Sequence, residues 1–268
     1  MAAESTVSLL IDGIRFGYNG SDLLNDVQFE IRSGELIGLI GPNGSGKSTL
    51  LRLMNGILKP RRGTIFMEGQ DLNKLKIDEI ARICANVPTE FNEDFNLSVQ
   101  ELVALGRYPF SKGMWWDSRE DEEMVVEAMK KYGVDHLRDR RFSELSSGEG
   151  QRVLLAKAMV QCPRIMLVDE PSAHLDLRYK LEVMEHLRDM LSGNVTIVIA
   201  SHDLNLLAKY CDKVIILSKG RIVAMGTPEE VITPEIVGNV YGVDVVVIKD
   251  GDSIYAIPRR TRRENDDR

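Results

Sequence analysis

A buried strand that runs into a glycine-rich loop opening directly onto a helix is the tightest constraint in this sequence. Glu35–Ile40 is a compact apolar run ending in glycine, the composition of a strand covered on both faces. Gly41-Pro42-Asn43-Gly44-Ser45-Gly46-Lys47-Ser48-Thr49 follows at once and fits the pattern GxxxxGK[ST]. From Lys47 the spacing turns helical: Leu50, Leu51, Met54, Ile57 and Leu58 share one face, and Lys59-Pro60 is expected to stop the helix. Strand, loop and helix in that order make a phosphate cradle. Glycines let successive backbone N–H groups curl inward, and the helix points its positive end at the same place. Lys47 adds a charge for the β and γ phosphates, and the Ser48 hydroxyl suits Mg²⁺. The expected ligand is ATP with Mg²⁺.

A carboxylate element supports the same chemistry. Ile165–Val168 is apolar and delivers Asp169 to the end of a strand, where ligands sit in open α/β sheets. Asp169 is expected to hold Mg²⁺ through water, and the adjacent Glu170 to act on the attacking water. An Asp-Glu pair after an apolar run also occurs as a solvated strand end; the phosphate loop in the same chain favours the catalytic reading.

Elsewhere the pattern is that of an α/β core with a helical insert. Ser8–Ile11 and Asp26–Ile31 read as strands, the second with Val27, Phe29 and Ile31 alternating. From Asn92 to Gln161 strand-like runs give way to helical segments at Val99–Gly106, Arg119–Tyr132 and Glu149–Gln161. Strand signals return at Arg164–Val168 and Val195–Ala200, separated by helical Leu177–Leu191. Val214–Leu217 and Arg221–Val223 flank Lys219-Gly220, a hairpin turn. The charged stretch after Pro258 is expected to fray.

Composition excludes several classes. A net charge of −7 over 268 residues argues against nucleic acid as the main partner. Cys84, Cys162 and Cys211 form no CxxC pair, so neither zinc nor a disulfide framework is expected, and the thiols read as reduced and cytosolic. No signal peptide is read at the N-terminus, and no run reaches the ~18 apolar residues of a membrane span.

Leu145-Ser146-Ser147-Gly148-Glu149, just ahead of a long helix, resembles the LSGGQ signature of the ATP-binding-cassette (ABC) family. Ser172–Asp176 resembles that family's D-loop, Ser201-His202-Asp203 its switch histidine, and Tyr18 the aromatic that stacks on adenine. The resemblance runs over about residues 7 to 248. It implies an α/β fold: a P-loop NTPase core of ABC type, an N-terminal antiparallel β subdomain and an inserted α-helical subdomain. As one ABC ATPase domain, 1–91 and 162–248 would form the catalytic core, 92–161 the helical subdomain, and 249–268 a C-terminal tail. Glu170, His202 and Lys47 would be catalytic. Tyr18, Gly41 to Thr49, Ser146, Ser147, Gly148, Glu149 and Asp176 would contact nucleotide, and Ser48, Asp169 and Thr89 would serve the metal. The plainer roles stay open: Ser146-x-x-Glu149 is also a capping box, His202 can be structural, and Tyr18 can be half-buried core.

Two positions depart from the family pattern. Thr89 follows Val87-Pro88 where glutamine is usual, and its shorter hydroxyl reaches a water rather than the metal. Ser147 replaces a glycine of the signature. Glu101–Phe110, SHDLNLLA at Ser201–Ala208 and Gly220–Val247 resemble the iron-siderophore, haem and cobalamin importer ATPases. The implied protein is a peripheral ATPase on the cytoplasmic face of the membrane, homodimeric with ATP and docked on permease subunits that meet a substrate-binding protein. A surface around Pro88–Pro109, with Phe91, Phe95, Leu97, Tyr108 and Phe110, would meet the permease. Trp115-Trp116 is a further candidate contact, and Arg259–Arg263 a candidate lipid contact or a solvated end. Another cargo such as a free metal ion, a soluble cassette protein, or a weakly hydrolysing regulatory subunit are the alternatives.

Overall fold

The computed structural model describes residues 6–89, 96–111, 118–171, 175–251 and 253–262. The chain opens with β1 (Val7–Phe16), β2 (Leu24–Arg32) and β3 (Leu36–Ile40), then α1 (Lys47–Met54). In β2 the apolar residues Val27, Phe29 and Ile31 face inward while Gln28, Glu30 and Arg32 face water, as a half-covered strand requires. In β3 every residue is buried, because it is flanked by strands and covered on both faces. Next come β4 (Arg62–Met67), β5 (Gln70–Asp71), α2 (Ile77–Ile83) and β6 (Cys84–Val87).

The insert contributes α3 (Val99–Ala104), α4 (Arg119–Lys131) and α5 (Ser147–Val160). Each starts on a serine, Ser98, Ser118 or Ser146, whose hydroxyl accepts a backbone N–H of the first turn. The core resumes with β7 (Ile165–Asp169), α6 (Leu177–Met190), β8 (Thr196–Ala200), α7 (Leu204–Tyr210), β9 (Lys213–Ser218) and β10 (Arg221–Gly226). The short α8 (Pro228–Val231), α9 (Pro234–Tyr241) and the strands β11 (Val243–Asp250) and β12 (Ser253–Thr261) finish the described chain.

Three sheets organise these elements among the described residues. An antiparallel sheet has the order β2-β1-β4-β5, and the central sheet the order β10-β9-β3-β8-β7-β6. In the central sheet β9, β3, β8, β7 and β6 run parallel and β10 is an antiparallel edge strand. Parallel order brings the C-terminal ends of β3, β6, β7 and β8 to one edge, the ligand edge of such sheets. One hydrophobic cluster lies between the two larger sheets and α1, with Leu9, Ile37, Leu50 and Leu167; a second joins the other face of the central sheet to the helical insert. The third sheet, β11 with β12, covers α7 and α9 through a small cluster of Ala208, Ile232, Val237, Ile254 and Ala256.

Two expectations are corrected. The first helix ends at Met54, before Lys59-Pro60, because the Asn55 side chain accepts the Ile57 N–H at 3.2 Å and turns the chain. Ile57 is therefore 61% exposed rather than part of the buried face. The segment after Pro258 does not fray as far as it is described. Arg259, Arg260 and Thr261 continue β12 against β11, and Asp244 binds Arg260 at 2.6 Å and Arg262 at 3.2 Å. Pro258 is accommodated where the register between the strands shifts.

Candidate functional site

The phosphate loop is shaped by close packing. A Cβ on Gly41 would lie 1.9 Å from the Leu217 carbonyl oxygen, so only glycine lets β3 pass into the loop beside β9. Gly46, at φ +106°, takes the left-handed turn that opens α1. The Lys47 ammonium folds back over the loop and donates to the Gly41 carbonyl at 2.9 Å. Burial pulls its pKa down, opposed by the charges of Glu170 and Asp169. A cleft at this loop is lined by Asn43, Gly44, Gly46, Lys47, Ser48, Thr49, Glu170 and Leu23. The Ser45 hydroxyl of this loop is buried without a hydrogen-bond partner.

The carboxylates meet the loop from β7. Ser48 Oγ donates to Asp169 Oδ1 at 3.1 Å, joining residues far apart in sequence. Burial raises the Asp169 pKa, and the Ser48 hydrogen bond works against it. Glu170 stands at φ +46°, in the left-handed region, its N–H held by the Ala200 carbonyl at 2.8 Å. Its Oε2 lies 2.8 Å from His202 Nδ1 and accepts the His202 main-chain N–H at 3.3 Å. Thr89, at the end of β6, donates its hydroxyl to the Asp169 carbonyl at 3.0 Å.

The strand order thus gathers Gly41 to Thr49, Asp169, Glu170, His202 and Thr89 at one edge. Tyr18 is 45% exposed, meets Phe16 edge-on at 5.0 Å and is not part of the cleft lining. The signature residues also lie outside that lining. Ser146 caps α5: its N–H and Oγ donate to Glu149 Oε2 at 2.8 and 2.7 Å, and Ser147 and Gly148 are the first residues of the helix. These donors hold the Glu149 carboxyl below its ordinary pKa. Asp176 caps α6 by accepting the Tyr179 N–H at 3.1 Å; Ser172 to His174 lie outside the described residues.

Residues 24–173 match the family described as ABC transporter. The chain belongs to the ABC transporter family. An uncharacterized ABC transporter ATP-binding protein of Methanocaldococcus jannaschii is 41% identical over 255 residues, covering 95% of this chain and 97% of that protein. The cobalamin import ATP-binding protein BtuD of Halobacterium salinarum is 36% identical over 260 residues; the match covers 95% of this chain but 65% of that longer protein. Among solved structures, an ABC transporter described as of metal-chelate type, in an inward-facing conformation, superposes with a TM-score of 0.81 at 25% identity, covering 95% of this chain and 98% of that one. This ABC chain is thus an ATP-binding subunit with the fold of a transporter ATPase, and its activity is ATP hydrolysis coupled to transport. No helix among its described residues is long and apolar enough to cross a membrane.

Of the candidate permease contacts in this ABC subunit, Leu97 packs against the insert core. Tyr108 is 67% exposed, and Phe110 lies under the Arg107 guanidinium at 4.4 Å. Phe91, Phe95, Trp115, Trp116 and Arg263 lie outside the described residues. Tyr241 was not singled out by itself, although it lies in the Gly220–Val247 stretch.

Proposed function

We propose that this ATPase powers import of a metal chelate or corrinoid, working on the cytoplasmic face of the membrane as a homodimer docked on permease subunits. The observation that carries the cargo class is the likeness along 95% of the chain to a cobalamin import ATPase, and the metal-chelate-type transporter points the same way. Homodimer closure is supported by the cleft, whose lining holds the phosphate loop and Glu170 but no signature residue. A γ-phosphate bound there has its loop side covered, and the capped start of α5 on a second copy can receive the other side.

Ser48 and Asp169 present a hydroxyl and a carboxylate oxygen 3.1 Å apart. That hard-oxygen pair fits Mg²⁺, which commonly takes one or two protein ligands and completes its shell with water and phosphate. Mg²⁺ would supply charge neutralisation on the phosphate oxygens. The remaining work falls to side chains of this chain. Lys47 and the loop amides hold the β and γ phosphates, and Glu170 accepts the proton of the attacking water. His202 anchors that carboxylate and meets the γ-phosphate, and Thr89 steadies the main chain at Asp169. Tyr18 stacks on adenine, while Ser146 to Glu149 and Asp176 serve the composite site between two copies.

The test is affinity capture of the tagged chain from solubilised native membranes. A stoichiometric many-helix permease is expected, and the complex in vesicles should take up a corrinoid, haem or ferric siderophore on addition of ATP. Capture from the soluble fraction alone would overturn the transport reading; ATP-driven uptake of only free metal ions would overturn the cargo class.

A further inference from the structure

Gly148, in the first turn of α5, is buried, while its neighbours Ser146 and Ser147 are exposed. What covers it comes from α6 and the residue just before Asp176. A Cβ placed on Gly148 would lie 3.6 Å from Cγ and 3.7 Å from Cδ2 of the Tyr179 ring, and 3.8 Å from Leu175. These are ordinary contact distances, so the ring rests on the helix start without strain.

One turn further along α5, the Arg152 guanidinium lies over the same ring, 5.2 Å from its centroid. Positions four apart share a helix face, so α5 holds the Tyr179 ring at two successive turns.

The ring is also fixed from its own side. The Tyr179 N–H donates to Asp176 Oδ1 at 3.1 Å, and the Lys180 N–H to the Asp176 carbonyl at 3.0 Å. The Lys180 ammonium pairs with the Asp203 carboxylate at 3.4 Å, both side chains being largely covered. Asp203 follows His202 and caps α7 by accepting the Leu206 N–H at 3.1 Å. The first turn of α6 thus touches the signature through Tyr179 and the histidine segment through Lys180.

We propose that Tyr179 is a positioning residue for ATP-driven closure: its ring sets the distance between the start of α5 and the chain's own hydrolysis edge. In a closed pair each chain presents its phosphate loop to one nucleotide and its signature to the other. Both contacts form together only if their spacing within a chain is fixed, which pre-organises the pair. An aromatic ring with two side-chain torsions is a stiff spacer. This rests on the reading of the α5 start as part of a composite site between two copies.

The experiment places Tyr179→Ala and Tyr179→Phe in the full chain, alone for kcat and combined with Glu170→Gln for dimerisation. Sedimentation with ATP reads the dimer, and nucleotide titration of the dilute chain reads single-chain affinity, all below the Tm of every variant. Tyr179→Ala is expected to weaken the ATP-driven dimer and lower kcat, each on the order of tenfold, with single-chain affinity held. Tyr179→Phe, which keeps the ring, should match the parent throughout. Parental dimerisation and kcat in Tyr179→Ala would overturn the proposal. An equal loss in Tyr179→Phe would assign the effect to the hydroxyl and overturn it too, and a parallel fall of single-chain affinity would make the ring merely structural. Failure of Glu170→Gln by itself to dimerise with ATP would instead remove the composite-site reading, and the proposal with it.

Discussion

Glu170 and His202 are joined twice: Oε2 of the carboxylate lies 2.8 Å from the ring Nδ1 and also accepts the main-chain N–H at 3.3 Å. An ionised carboxylate only accepts, so Nδ1 is the donor of this pair and Nε2 faces away from it, able to donate to a phosphate oxygen only when the ring carries both protons. The pairing converts two residues on different strands into one unit.

Removing either half should therefore spare binding and stop turnover. Glu170→Gln is expected to retain ATP, accumulate a nucleotide-bound dimer and lose about 10²–10⁴-fold in kcat. His202→Ala should bind ATP comparably and lose about 10²-fold. Equilibrium nucleotide titration beside steady-state hydrolysis checks both, and unimpaired turnover in either variant removes that residue from catalysis.

Thr89 donates to the Asp169 carbonyl at 3.0 Å, so it braces the main chain at Asp169, the residue proposed to serve Mg²⁺. Thr89→Val, which keeps the shape, should cost about 1 kcal/mol of stability and slow hydrolysis. Thr89→Gln, whose longer amide reaches further into the site, should raise the rate or its dependence on the permease. Rates equal to the parent with and without the permease would mean the hydroxyl suffices.

Gly41→Ala tests whether the loop tolerates a side chain against β9. Its Cβ would meet backbone, the Leu217 carbonyl, at 1.9 Å, and backbone yields less readily than a flexible side chain. A loss on the order of 3 kcal/mol, together with weakened ATP binding, is expected in chemical denaturation and nucleotide titration. A variant with parental stability and affinity would show that β3 and β9 can separate.

Acid should act on the start of α5. The Ser146 donors depress the Glu149 pKa below its ordinary 4.5, so their stabilisation is fully present above that value. It disappears as pH falls through the lower, folded value. Glu149→Gln should lower Tm slightly near neutrality and flatten the part of the acid-induced fall that this carboxyl causes. Parallel Tm curves for the two proteins from about pH 5 to about pH 3 would show that the box adds nothing measurable.

Cutting the chain after Pro258 should destabilise it, because Arg260 and Arg262 hold Asp244 and β12 pairs with β11. Ion pairs this exposed contribute little, so the loss comes mainly from the ladder bonds of β12. A Tm equal to that of the full chain would return this segment to a dispensable end.

The phosphate loop, the Asp169-Glu170 pair and the capped start of α5 were legible in sequence because each is local. A glycine pattern, an apolar run ending in acids, and a serine three residues before a glutamate carry their geometry within a few residues. The family resemblance and the helical insert were legible for the same reason, as ordered motifs. Missed were the early stop of α1, which depends on how the Asn55 side chain is used, and the hairpin at the end. The arginines after Pro258 read as a solvated tail because their partner, Asp244, lies across a strand pair.

Sequence alone thus determined that this chain builds a P-loop, places acids at a strand end and starts a helix at its signature. Those features are set by the dihedral freedom of glycine, the burial of apolar runs and capping. Tertiary structure alone decided that Ser48 meets Asp169, that Glu170 meets His202 and that Thr89 braces Asp169. Strand order in the parallel sheet made those decisions, since it depends on burying faces whose partners are distant in the chain.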